Sequence, residues 1–347
     1  MAGEAYDVLA EKLGWPGSKR FRLCLELLLT PLEAEVAALL PATADEIATK
    51  LGMPKGQVED HIHRGYLKGA VFPTSKGYFL ARSTGQLKDA CLTDRRWDKE
   101  LGPRLFAAWN DFAEQEGIPK RMGGQPRGGG GMAEGGLRVV PVLGALKGVA
   151  GVIPQEDIEI LLGQCDAWAT TPCSCRRQTM ARPQGEACGK LQDVCVQVNR
   201  GADYVVKRGS GKQLTKDECL DVFAKSADAG LVITLPKRPK FSSICNCCDD
   251  CCTIFYTNKK YGQWDRLTKS RFASRVNLND CNGCEVCMQR CPYDAIEMKE
   301  IAGHKTLKAI INEGRCLGCG VCVVGCAPEA MKLETVRPTS HVLQYYG

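Results

Sequence analysis

At 347 residues the chain is too long for one small core, so two or three domains are expected. Its 44% hydrophobic and 25% charged residues are ordinary for a globular protein, which excludes a disordered or fibrous chain, but 21 cysteines are not ordinary. The formal charge of +6 treats every thiol as neutral, and thiolates bound to metal would draw the balance toward zero, so this charge does not argue for a nucleic-acid partner.

The first residues, "MAGEAYDVLAEKLGW", lack a basic start followed by an apolar core, so no export signal is expected. The most apolar long stretch, "LRVVPVLGALKGVAGVIP", is interrupted by Arg138, Lys147, Pro141 and Pro154, so no membrane span is expected either. In a cytoplasmic chain, this many thiols point to metal binding rather than to cross-links.

Residues 1–121 read as a helical region. "LTPLEAEVAALL" and "TADEIATKLGM" are amphipathic, and Thr43 with Glu46 has the spacing of a capping box. "PKGQVEDHIHRGYLKGAVF" reads as a third helix with Pro54 near its first turn, and "VFPTSKGYFLAR" as a hairpin turning near Gly77. Three helices and a hairpin over about residues 20–85 resemble a winged helix-turn-helix. Between residues 31 and 82, however, six basic residues meet six acidic ones, and Glu59 and Asp60 fall on the presumed recognition helix. Phosphate contacts dominate DNA affinity, so a packing or partner-docking module is the preferred reading and nucleic acid is not an expected partner. His61 and His63 are two apart, point to different sides of a helix and make a poor metal pair.

"RRWDKELGPRLFAAWNDFAEQEG" continues the helical region. Residues 122–136, "MGGQPRGGGGMAEGG", contain eight glycines and read as a linker or loop without a phosphate-binding fingerprint. Residues 137–270 then form a cysteine-rich α/β middle domain. It opens with a strand at "RVVPV" and a helix around "QEDIEILLGQC". A second capping box, Thr215 with Glu218, starts the helix "KDECLDVFAKSADAG".

The strongest signal lies in residues 271–336. Cys281, Cys284, Cys287 and Cys291 follow C-x2-C-x2-C-x3-C-P, with Pro292 in place. Cys316, Cys319, Cys322 and Cys326 repeat the spacing, with Ala327 read as an insertion before Pro328. "YDAIEMKE" and "PEAMKLET" follow the two runs as an internal duplication would. Zinc sites show paired C-x2-C units instead of a triple with a trailing cysteine. These residues resemble the bacterial two-cluster ferredoxins, in which the fourth cysteine of each run ligates the other cluster. The resemblance implies one [4Fe–4S] cluster on Cys281, Cys284, Cys287 and Cys326. It implies another on Cys316, Cys319, Cys322 and Cys291. Each would carry about −2 with its four thiolates. Residues 337–347 form a tail. The fold expected is α+β throughout: a winged-helix-like module, a cysteine-rich α/β domain and a ferredoxin-like domain.

Nine further cysteines lie upstream: Cys173, Cys175, Cys188, Cys195, Cys245, Cys247, Cys248, Cys251 and Cys252. Five thiols within eight residues serve no packing purpose and invite oxidation, so all nine are assigned to metal. "TTPCSCRR", "DVCVQVNRGADYVVKRG" and "SICNCCDDCC" ahead of a two-cluster ferredoxin resemble uncharacterised iron–sulfur proteins of anaerobic microbes. Counting suggests one site from Cys173, Cys175, Cys188 and Cys195 and one from four of the other five. Sharing between the groups, or zinc within "CNCCDDCC", remains open. Adjacent cysteines also help hold the clusters of heterodisulfide reductases, although the long spacing between doublets found there is missing. Residues 237–271 carry eight basic against three acidic side chains, which suits either an acidic partner or compensation of cluster charge. Cys24, Cys91, Cys165 and Cys219 are read as structural.

The leading function is an electron-transfer protein or subunit that works with a partner oxidoreductase in a complex, with no catalytic residue of its own. No nicotinamide or flavin fingerprint is present. The alternatives are a redox-sensing winged-helix regulator and a thiol- or disulfide-active enzyme using the cysteines at 245–252.

Overall fold

The two capping boxes read from the sequence are formed in the computed structural model, which describes residues 2–74, 77–122, 136–182, 188–237, 240–262 and 267–343. The glycine-rich segment expected at 122–136 lies almost wholly outside the described residues, as does the end of the 337–347 tail. The chain divides into two units. The first comprises Met1–Glu134, Pro172–Cys188 and Lys207–Gly211; the second comprises Gly135–Thr171, Gly189–Val206 and Lys212–Gly347.

The first unit begins with α1 (Ala2–Lys12), α2 (Lys19–Leu28), α3 (Pro31–Ala38), α4 (Ala44–Leu51) and α5 (Lys55–Leu67). Ser18 caps α2 by accepting from Phe21 N, and Thr30 with Glu33 forms a capping box on α3 that the sequence reading passed over. On α4, Thr43 accepts from Glu46 N at 3.3 Å and Glu46 accepts from Thr43 N at 2.7 Å, and Gly52 closes the helix at φ 63°. Pro54 is the N-cap of α5, next to the first turn as expected. The antiparallel hairpin of β1 (Val71–Thr74) and β2 (Gly77–Leu80) follows, then α6 (Thr84–Leu92) and α7 (Gly102–Phe112). The helical stretch expected around residues 95–117 consists of a 3-10 turn at Arg95–Trp97 and then α7, which restarts at Leu101–Gly102–Pro103. Trp15, Phe21, Trp109 and Phe112 interlock, edge to face in three pairs and tilted between Phe21 and Phe112, with Trp15 and Phe112 ring centroids 4.7 Å apart.

The two later segments of this unit bring buried arginines to the end of α6. Arg177 donates to Leu92 O and pairs with Asp98, while Arg208 donates to Ala90 O at 2.6 Å and lies 4.0 Å from the buried Asp94. The buried Asp94 carboxylate is held at closer range by Arg96, whose guanidinium donates to both of its oxygens, and a buried carboxylate is tolerated only with such partners.

The second unit is organised on a seven-stranded sheet in the order β6-β4-β5-β8-β7-β3-β9. Its strands are β3 (Leu137–Val139), β4 (Trp168–Thr171), β5 (Cys195–Val198), β6 (Lys212–Leu214), β7 (Val232–Pro236), β8 (Ser243–Cys247) and β9 (Leu267–Thr268). Every pairing is antiparallel except β3 with β9. β7 is buried at all five positions and reads as an uninterrupted apolar core strand apart from Thr234. The helix Lys216–Asp228 starts at the Thr215–Glu218 capping box and buries Cys219 and Phe223. The expected helix around residues 155–165 is shortened to Ile158–Gly163, capped by Asp157.

The last part of the second unit pairs β10 (Phe272–Val276) with β13 (Met331–Thr335) and β11 (Ile296–Lys299) with β12 (Lys308–Ile311), both antiparallel. The short helices Val286–Arg290 and Val321–Val324 each follow the second cysteine of a run. Positive φ recurs at matching places in the two runs: Gly283 and Gly318, Glu285 and Gly320, Asp294 and Glu329. From the fourth cysteine to the last of these pairs is three residues in both runs. Ala327 therefore occupies the place of Pro292, and Pro328 that of Tyr293. The expected insertion is a shift of proline by one position, and the duplication keeps its register.

Candidate metal centres

The four-residue loops that carry the cysteines need left-handed backbone and close approach, and glycine supplies both. A Cβ on Gly318 would fall 2.1 Å from Phe272 O, and one on Gly283 would fall 2.6 Å from Leu307 O. With these turns formed, two groups of four thiols arise. Cys287 is buried, and burial pushes its thiol up to about 11, with Cys281, Cys326 and Cys284 adding to the rise as electrostatic neighbours. These four thiols line one cavity with Met298, Ala309 and Met331.

In the second group burial pushes the Cys322 thiol up to about 12, and Cys291, Cys316 and Cys287 contribute to the rise. Cys319 is raised by burial and then by Cys322, with Cys291 and Cys316 also close. Ser274 offers two donors here: its N–H approaches Cys316 Sγ at 3.5 Å, and its hydroxyl lies 3.2 Å from Cys322 Sγ. Each group thus takes its fourth thiol from the other run. Four soft donors with apolar walls and N–H or O–H groups aimed at sulfur suit an iron–sulfur cluster. When bound, such a cluster supplies reversible one-electron chemistry.

Arg290 braces the loop between the groups. It donates to Val321 O at 2.7 Å, Asp228 O at 2.8 Å and Ala227 O at 2.6 Å, directly ahead of Cys291. Gly325 leaves room for it, since a Cβ there would lie 2.2 Å from Arg290 Nε.

The upstream cysteines are distributed differently from the sequence count. Cys173, Cys175 and Cys188 belong to the first unit and Cys195 to the second. In the first unit Cys173 precedes the helix Ser174–Thr179, and Lys88 Nζ donates to Cys175 Sγ at 3.4 Å. Cys188 is half-buried. In the second unit Cys195, Cys245, Cys247 and Cys252 form a run of neighbouring thiols. The Cys245 thiol is raised foremost by its hydrogen bond with Cys195, and that of Cys247 by its hydrogen bond with Cys245, while Cys252 bonds Cys247 from the other side. Gln197 Nε2 donates to Cys195 Sγ at 3.1 Å, and Thr234 Oγ1 lies 3.3 Å from Cys247 Sγ. Cys248 and Cys251 form a grouping of their own. Their sulfurs and a carboxylate oxygen of Asp250 lie within 4.8 Å of one another.

Both cysteine doublets are divided: Cys247 is the last residue of β8 and Cys248 lies beyond it, while Cys251 belongs to a turn and Cys252 to the N-cap of the helix that follows. Gln197, Thr234, Ser274 and Arg290 were not singled out from sequence. Only Arg290, next to a ligand-spaced cysteine, carried a local signal. Cys24, Cys91, Cys165 and Cys219 are buried.

Residues 280–330 match the family described as a 4Fe-4S dicluster domain. No curated protein and no solved structure matches the chain. No helix among the described residues is long and apolar enough to cross a membrane.

Proposed function

We propose that the chain is an iron–sulfur electron carrier, in which Cys281, Cys284, Cys287 and Cys326 hold one [4Fe–4S] cluster and Cys316, Cys319, Cys322 and Cys291 another. The match of residues 280–330 to a dicluster domain gives the chain iron–sulfur electron-transfer capacity. The observation that carries the fuller reading is the exchange of the fourth thiol between two symmetric runs. A cluster with four thiolate ligands has no open iron, so it passes electrons and does not bind substrate.

The partner is a second oxidoreductase that holds the reacting site, in an oxidoreductase complex of an anaerobic cell. Cys284 is exposed, and Val286, Met288 and Leu307 are large apolar side chains exposed in the same domain, which suits a docking face there. Cys173, Cys175 and Cys188 serve a further metal centre on this reading, with zinc as the substitute for iron.

In the first unit, three helices and a hairpin support a winged-helix-like module that docks protein and not DNA. Glu59 and Asp60 are exposed on α5, where they would repel phosphate. The division of the doublets counts against a thiol-active enzyme built on adjacent cysteines.

Iron, acid-labile sulfide and zinc measured on protein purified without air test the proposal. About eight irons per chain are expected from the ferredoxin pair, and about twelve to sixteen if upstream centres are filled. Colourless protein with zinc in place of iron would refute it.

A further inference from the structure

We propose that Cys195, Cys245, Cys247 and Cys252 hold a third four-iron cluster, set one aromatic side chain away from the cluster of Cys291, Cys316, Cys319 and Cys322. The electron exchange between them rests on the carrier reading above.

The site is built by strand register. β5 and β8 pair antiparallel with Val196 opposite Ile244, and the same register carried one residue further sets Cys195 opposite Cys245. Opposed residues share a face and stand within about 4.5–5.5 Å at Cβ, and residues two apart on a strand share it too, which adds Cys247. Cys252 closes the set from the N-cap of the helix Thr253–Tyr261. A helix start favours negative charge, which an anionic thiolate cluster brings. Gln197 donates to Cys195 Sγ and the Thr234 hydroxyl lies 3.3 Å from Cys247 Sγ, a placement that protein groups take around iron–sulfur clusters. Cys248 lies one residue beyond the end of β8 and groups with Cys251 and Asp250 instead.

Tyr293 joins this group to the ferredoxin centres. It is buried, and its phenol has Cys319, Cys247, Cys252 and Cys291 as electrostatic neighbours, two thiols from each group. Its ring lies 5.3 Å from that of Phe255, three residues after Cys252. The matching position in the other run is Pro328, so the loop itself does not demand an aromatic side chain. Were both sites loaded, exchange through this contact would move one electron, one cluster core passing from 1+ to 2+ as the other passed from 2+ to 1+. No bond or proton moves.

The test uses the full chain, reconstituted with iron and sulfide without air, read by iron content and by paramagnetic resonance of the reduced protein. The Cys195→Ser/Cys245→Ser variant is expected to lose about four irons and to keep the signals of the ferredoxin pair. A magnetic interaction present in the reduced wild type beyond that of the pair is expected to vanish with them. An unchanged iron content, or one zinc released in place of four irons, overturns the third centre while leaving the carrier reading intact. A wild type without any iron overturns both. Should the double variant not fold, Cys195→Ser at the half-buried start of β5 gives the second reading. An altered signal from a single centre is expected, and an unaltered spectrum overturns the assignment.

Discussion

Replacing Arg290 with alanine should loosen the junction that holds the two ferredoxin runs together. The guanidinium donates to three carbonyls, Ala227 O and Asp228 O at the end of the helix Lys216–Asp228 and Val321 O at the start of the short helix after Cys319. Hydrogen bonds to a charged group contribute roughly 1.5–3 kcal/mol each, and the bond to Asp228 is exposed and contributes little. The two part-buried bonds, taken at the low end, give a loss of about 3 kcal/mol. For a unit of this size that corresponds to a fall in melting temperature of roughly 6–12 °C. The assay is thermal loss of the visible charge-transfer absorbance of the loaded protein, followed beside circular dichroism. Arg290→Lys should recover less than half of the loss, because a single ammonium cannot serve carbonyls that a planar fork reaches in different directions. If Arg290→Ala melts with the wild type, or Arg290→Lys restores it fully, the bracing role is wrong.

Gly318→Ala should abolish the Cys316 loop, since a Cβ there meets Phe272 O and Ser270 Oγ at a φ of +68°, and iron content should fall by about four per chain. Wild-type iron in that variant would refute the requirement. Thr43→Ala should cost about 1 kcal/mol by removing the α4 cap, read as a lower denaturant midpoint at unchanged slope. The chain should also lose stability at alkaline pH. Burial pushes the structural thiols of Cys91 and Cys219 up to about 12 from an ordinary 9.0, so the folded form keeps them protonated where the unfolded chain ionises them. That stability is whole below about pH 9 and declines as pH rises toward 12, and Cys219→Ala should flatten the decline in alkaline melts.

What was legible in the sequence was local. Cysteine spacing marked the ferredoxin pair because each loop supplies three thiols from neighbouring residues. The Thr43–Glu46 and Thr215–Glu218 boxes marked helix starts because both partners lie within one turn. The doublets were misleading for the opposite reason. Whether Cys247 joins Cys248 or Cys195 depends on how β8 pairs with β5, and more than forty residues separate those strands, so spacing along the chain holds no record of it. The apparent insertion at Ala327 failed similarly. Counting from the proline suggested an extra residue, whereas the left-handed positions Asp294 and Glu329 show that the backbone path is the same. Tyr293 carries no signal in the sequence, because only the fold brings thiols of two groups to its ring.

The first unit is not continuous in sequence, and this shapes how the protein can be made. Ala90 O accepts from Arg208, and Leu92 O and Asp98 from Arg177, so those acceptors lack their guanidinium partners in a nascent polypeptide until translation has passed both arginines. By then β3, β4 and β5 have already been synthesised. A truncated gene ending at the glycine-rich stretch should accordingly yield an aggregation-prone product, and anyone dissecting the two units would do better to silence cysteines within the intact polypeptide than to excise either part.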